Sequence, residues 1–177
     1  MKNIIKNPTR LLYHNPVSLV TSTYDGKKNV FTVSWLSVIS NNPPAVMISV
    51  DKKRVSFDLI EKSKKFVINI PNVKILKDVI YCGNVSAREK DKFQERNLKY
   101  ITSKNDGVIL DKTIAYLECK ITKEIDLGDR MLFIGEIIDA GANEDVFSDG
   151  KWNLENENSK IISFLGDGNY ATISQIN

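Results

Sequence analysis

A chain of 177 residues, 42% hydrophobic and 27% charged, has the size and make-up of one globular domain, here spanning 1–177, with a core of its own. The net charge of +3 is small, and lysines lie among acids, as in "REKDKFQER", which reads as a solvated helix face; no nucleic-acid partner is expected. The opening "MKNIIKNPTR" has no signal-like apolar run, nothing approaches a membrane span, and Cys82 and Cys119 are too few for a disulfide framework, so a cytoplasmic protein without a membrane partner is expected.

In chain order, "VSLVTST" (17–23) predicts a strand, and Asp25-Gly26 within "YDGKKN" predicts a hairpin connection. "NVFTVSWLSVISNNPP" (29–44) then returns as the second strand. It scatters Thr32, Ser34, Ser37 and Ser40 among Val, Phe and Trp, which an ordinary core strand does not need. The paired prolines end it, and "AVMISV" follows as a third, apolar strand. Ser56 is placed to cap a short helix, "SFDLIEKSK", directly after the basic run "DKKR". A helix N-terminus offers unpaired N–H groups and partial positive charge, which suit an anion. "KFVINI" predicts a fourth strand, and its Asn69, flanked by apolar residues, must find partners if buried. Residues 73–81 and 88–96 have a helical pattern, with "YCGNVSA" between them. Ser86 is placed to cap the second of these helices, and Arg88 offers a planar fork suited to phosphate. Taken alone, each of these basic segments reads as a capped surface helix.

The second half is mostly strand. "IAYLECKIT" alternates, with Ala115, Leu117, Cys119 and Ile121 on one face, which assigns Cys119 to the core. "DLGDR" turns the chain into "RMLFIGEIIDA", whose Gly135 points to a bulge or a close backbone approach. "GDG" at 166–168 reads as a turn in a polar tail. Many strands with short inserted helices predict a mainly β, antiparallel barrel.

What is missing narrows the chemistry. His14 is the single histidine, so a metal site is not expected, and no nucleophile elbow accompanies it. There is no GxxxxGK[ST] loop and no GxGxxG between strand and helix. A nucleotide-like cofactor would bind by neither route, and no catalytic residue is assigned.

The ordered set of pieces, "NPVSLVTSTYDGKKNVFTVSWLSVISNNPPAVMISVDKKRVSFDLIEKSKKFVINIP" followed by "CGNVSAREKDKF" and the tail "FLGDGNYATI", resembles the flavin reductase-like family over about residues 10 to 175. The resemblance implies an FMN-binding, antiparallel split β-barrel of the flavoredoxin type, with FMN as cofactor. It implies that Asn29, Val30, Thr32, Val33, Ser34 and Trp35 lie beside the flavin ring. The hydroxyls of the second strand then serve a slot in which bulky side chains would block the ring. Lys53, Arg54 and Ser56, with Ser86 and Arg88, would hold the phosphate, and Asn69 and Cys82–Gly83 would line the pocket between. Ala87 stands where many relatives carry Gly, which requires a negative φ there. NAD(P)H is the implied electron donor, a small molecule or protein the acceptor, and a homodimer the implied assembly, for which Trp35, Trp152 and Phe164 offer apolar surface. A flavoredoxin-like electron carrier and a non-redox split-barrel binding module are the competing readings.

Overall fold

The computed structural model describes residues 4–175. Its strands are β1 (Asn15–Pro16), β2 (Ser18–Tyr24), β3 (Lys27–Val33), β4 (Leu36–Asn41), β5 (Pro44–Asp51), β6 (Lys65–Ile70), β7 (Tyr100–Thr102) and β8 (Val108–Leu110). The second half adds β9 (Ala115–Asp126), β10 (Arg130–Ala142), β11 (Phe147–Ser148), β12 (Lys151–Trp152), β13 (Ile162–Gly166) and β14 (Asn169–Thr172). Among the described residues three α-helices punctuate them: α1 (Val55–Ser63), α2 (Leu76–Asn84) and α3 (Lys92–Glu95). Seven strands form one antiparallel sheet in the order β3-β2-β6-β9-β10-β5-β4. Among the described residues no helix is long and apolar enough to cross a membrane.

The two edges of this sheet, β3 and β4, are consecutive in the chain and joined only by Ser34 and Trp35. Two residues span little distance, so the sheet must curl until its edges meet. The result is the split barrel that the sequence resemblance implies. Its interior is filled by Val20, Phe31, Ile48, Phe66, Cys119 and Phe133, with Ile60 of α1 packed against them. A second cluster covers the outer face of β2 and β3: Leu19 and Val30 pack against Val79 and Cys82 of α2, and against Phe93, Leu110 and Ile162. The alternation read along β9 holds, with Phe66 opposite Cys119 and Ile68 opposite Leu117 inside the barrel.

Local chemistry explains the turns. Asp25 (φ 50°) and Gly26 (φ 69°) make a two-residue turn of left-handed residues, which matches strand twist and closes the β2–β3 hairpin. Asp167 (φ 50°) and Gly168 (φ 78°) repeat it between β13 and β14, the turn expected of "GDG". Gly135 combines both features expected of it. The β9–β10 register shifts beside it, and an added Cβ would stand 2.8 Å from Phe66 Cζ and 2.9 Å from Cys119 Cβ. Gly135→Ala is therefore expected to lower stability by about 1–3 kcal/mol through overpacking, measured as a shifted urea midpoint at unchanged slope.

Several boundaries differ from the sequence reading. The second strand is two, β3 and β4, broken at Ser34–Trp35, where Ser49 N–H donates to the Trp35 carbonyl at 2.9 Å. Pro44 does enter a strand, but as the first residue of β5, where a missing N–H is tolerated. Helix α2 runs on to Asn84, so Cys82 and Gly83 are helical rather than part of a connecting loop. The helix expected at 88–96 shrinks to Lys92–Glu95 and is capped by Asp91, whose carboxylate accepts from Phe93 and Gln94 N–H. Ser86 instead closes a single turn, its carbonyl accepting from Glu89 and Lys90. The first helix is capped two residues earlier than expected, so Arg54 is its N-cap and Ser56 lies inside the first turn.

Candidate functional site

Two cavities adjoin along β3. One, of about 160 Å³, is lined by Asn29, Phe31, residues 53–56, residues 83–87 and Lys92. The other, of about 180 Å³, is lined by residues 31–35, residues 49–51, Arg54 and Arg130. Phe31 and Arg54 line both, so the two are compartments of one cleft.

The first compartment is built for an anion. Helix α1 has nine residues, and no side chain caps its first turn. Its leading N–H groups therefore meet the cavity lined by Val55 and Ser56 with the positive end of the helix dipole behind them. Lys53, Arg54 and Lys92 add cationic side chains. Asn29 Nδ2 donates to Ser56 Oγ at 2.8 Å, which leaves the serine hydroxyl proton for another acceptor. Arg54 Nη1 donates to the Gly83 carbonyl at 3.1 Å, tying α1 to α2 across the cavity. Ser86 Oγ accepts from Arg88 N–H at 3.2 Å. Ala87 is not among the residues with positive φ, so alanine meets no strain in this turn.

Lys92 is the unexpected member. Its side chain lies in the stretch read as a solvated face, yet it is 3% exposed. Its Nζ donates to the carbonyls of Val30 and Cys82, both at 2.9 Å, clamping β3 to α2. Burial pushes its ammonium down to about 8, with the Arg54 charge adding to that push. Burial also pushes the Cys82 thiol up to about 11, which keeps it a neutral thiol rather than a nucleophile.

The second compartment sets the small polar side chains of Thr32, Ser34 and Ser49 among the larger Phe31, Trp35 and Asp51. Ser34 and Trp35 cross between the sheet edges there, and Ser49 lies opposite. Arg130 encloses this end. Its guanidinium carbon is 4.3 Å from the Trp35 ring centroid, Nε donates to Ser49 Oγ at 2.8 Å, and Nη2 donates to the Ser49 carbonyl at 2.7 Å.

The structure thus brings Asn29, Thr32, Val33, Ser34, Trp35, Lys53, Arg54, Ser56, Gly83 and Ser86 to one cleft. Thr32 reaches it from β3, while its Oγ1 donates to the Val79 carbonyl and its Cβ would stand 3.3 Å from a side chain at Gly83. Glycine there lets α2 sit close to the strand. Four others stand apart. Val30 points into the outer cluster and contributes only its carbonyl to Lys92. Cys82 is buried in the same cluster. Arg88 is exposed and its side chain does not line the cleft. Asn69 is enclosed on the outer side of β6, where its Oδ1 accepts from Leu110 N–H at 2.8 Å and its Nδ2 donates to Thr21 Oγ1 at 3.1 Å. Lys92, Ser49 and Arg130 were not found from sequence. Nothing distinguishes Lys92 and Arg130 from the other cations among 25 lysines and arginines until the fold removes them from water.

Comparison with known proteins gives this cleft a context. A family model described as "Flavin reductase like domain" matches residues 10–162. An uncharacterized protein of Archaeoglobus fulgidus is 32% identical over 98% of this chain and 97% of its own. The crystal structure of flavoredoxin from Methanosarcina acetivorans superposes with a TM-score of 0.88 at 24% identity, covering 100% of this chain and 94% of that one. An FMN-binding protein from Thermus thermophilus, solved with bound 1-cyclohex-2-enone, gives a TM-score of 0.87 at 20% identity over 100% of this chain and 96% of that one.

Proposed function

Because the chain belongs to the flavin reductase-like family, we propose that its cleft binds FMN and that the protein is an NAD(P)H-dependent oxidoreductase. The observation that carries this is the continuity of the cleft. An uncapped, cationic helix terminus lies at one end and a slot lined by Thr32, Ser34, Trp35 and Ser49 at the other, with Phe31 and Arg54 shared between them. A phosphate and a flat, polar-edged ring joined by a short chain need such a pair of compartments.

When bound, the flavin supplies the hydride chemistry, and the protein supplies position and electrostatics. In this reading the first turn of α1, Ser56, Ser86, Lys53 and Arg54 bind the phosphate. Lys92 holds β3 against α2, so that the strand edge bearing Thr32, Ser34 and Trp35 keeps its place beside the ring. Hydride transfer between two cofactors needs no protein acid or base, which agrees with a cleft whose one thiol nearby, Cys82, is buried and neutral. Denaturing the purified protein and identifying the released chromophore tests the cofactor. Failure to take up added FMN in calorimetry would overturn the reading. Anaerobic stopped-flow bleaching of the flavin by NADH or NADPH tests the turnover. Reduction by dithionite alone would leave the electron-carrier reading, which the likeness to flavoredoxin favours. Light scattering tests the homodimer.

A pH dependence follows from Lys92. Its ammonium is charged below about 8 and neutral above. A bound phosphate favours the charged form, so binding takes up a proton as pH passes that value. FMN affinity is expected to fall severalfold between pH 7 and pH 9.5, and Lys92→Met should flatten the profile in a fluorescence titration. The same shift has the opposite sign for folding. Between about 8 and the ordinary lysine value of 10.5 the unfolded chain binds more protons at this site than the native one, so the contribution of Lys92 to stability rises with pH across that window.

A further inference from the structure

We infer that Arg130 makes this cleft selective for the reduced, anionic form of the flavin over the oxidised, neutral one. The inference rests on the FMN reading above and concerns one residue of this chain that neither the family resemblance nor the phosphate chemistry assigns. Arg130 lines the ring compartment and not the phosphate compartment. Its charge therefore meets the heterocyclic end of a ligand whose phosphate is already served by Lys53 and Arg54.

Three features make it a fixed cation rather than a mobile surface one. It is half-buried at the first position of β10. Its Nε and Nη2 are both committed to Ser49, and its guanidinium carbon sits over the Trp35 ring. Ser49 offers neutral oxygens, so those bonds orient the guanidinium without neutralising it. Among the described residues no carboxylate comes within salt-bridge distance of it; Asp51, its cross-strand neighbour, lines the same compartment and Asp129 lies near, neither paired with it, and Arg54 lies on the same side of the cleft. A preorganised, half-buried cation without an ion-pair partner stabilises whatever negative charge develops beside it. Two-electron reduction of a flavin by hydride transfer adds two electrons and one proton, at N5. The remaining negative charge rests on the pyrimidine edge. Oxidised flavin carries none. The same cation therefore acts differently on the two forms, and a bound couple is shifted by the ratio of its two affinities.

The test is a pair of titrations, not an activity assay. FMN binding is measured aerobically for the oxidised form and anaerobically, after dithionite reduction, for the reduced form. The potential of the bound couple is read by spectroelectrochemistry. Arg130→Gln keeps donors to Ser49 and loses the charge. It is expected to weaken binding of reduced FMN at least tenfold more than that of oxidised FMN, which lowers the bound potential by about 30 mV for each tenfold difference in this two-electron couple. Arg130→Lys keeps the charge and loses the fork, and should retain part of the difference; it carries the test if the glutamine variant does not fold. Equal losses in both redox states, at an unchanged potential, would make Arg130 a brace for Trp35 and β5 and overturn the inference. An unchanged potential with a higher NAD(P)H concentration needed for reduction would place the anion on the donor instead, and overturn it equally. A wild-type protein that binds neither form of FMN would defeat the cofactor reading, an outcome separate from both.

Discussion

Arg54→Ala is expected to weaken FMN binding by about tenfold to a hundredfold. The guanidinium lines both compartments of the cleft, stands at the N-cap of α1 and reaches the Gly83 carbonyl at 3.1 Å, so it is held where a phosphate on the helix terminus would meet it. A hydrogen bond to a charged group contributes about 1.5–3 kcal/mol net, and each 1.4 kcal/mol is a factor of ten. Riboflavin lacks the phosphate, so its weaker binding should change much less. Arg54→Lys should recover only part of the loss, because an ammonium keeps charge and loses the fork. Arg88→Ala is the informative comparison. Its side chain is exposed and outside the lining, so its loss should be a few-fold at most, through long-range charge in water. Fluorescence titration of both flavins against the three variants and wild type makes the measurement. Equal losses for FMN and riboflavin in Arg54→Ala would move the phosphate elsewhere in the cleft.

Asn69→Leu is expected to be the most damaging stability change, by roughly 2–4 kcal/mol. Asn69 is fully buried and joins three elements: it accepts from Leu110 N–H of β8, donates to Thr21 Oγ1 of β2, and belongs to β6 itself. Leucine would fill similar space yet leave the Leu110 N–H without a partner and crowd the Thr21 hydroxyl. A buried donor left unmade costs about 1–3 kcal/mol by itself. In a chain of this length that lowers the thermal midpoint by several degrees, to roughly ten. The folded variant should bind FMN nearly as wild type does, because its side chain faces away from the cleft. A selective loss of FMN affinity at unchanged stability would return Asn69 to the site.

Local patterns determined most of the β framework. The alternation of "IAYLECKIT" oriented β9, and Asp25-Gly26 and "GDG" placed two turns, because each depends on neighbours a few residues away; Gly135 announced a close approach by its missing side chain, while the groups it approaches, Phe66 and Cys119, lie far off in the chain. Helix boundaries were less legible. α2 swallows Cys82 and Gly83 because Cys82 gains the apolar cluster under β3 and Gly83 lets the helix lie against Thr32, contacts that are distant in sequence. The continuous strand read from Asn29 breaks at Ser34–Trp35 because a seven-stranded sheet with consecutive edges must change direction there.

The site divides in the same way. The basic run before α1 and the hydroxyls of β3 could be read directly, since their chemistry is written in adjacent residues. Asn69 was legible as a polar residue needing partners but not as a tie to β8, for the partner lies 41 residues away. Lys92 and Arg130 were invisible as site residues. A lysine in an acid-rich stretch and an arginine in a hairpin have no sequence signal of burial. Only the docking of α3 beneath β3 dries the first, and only the pairing of β10 with β5 lays the second across Ser49 and Trp35. The sequence by itself determined which charges and hydroxyls exist and which strands carry them; the tertiary structure alone decided which of those charges lose their water, because desolvation depends on what packs against a group and not on what precedes it in the chain.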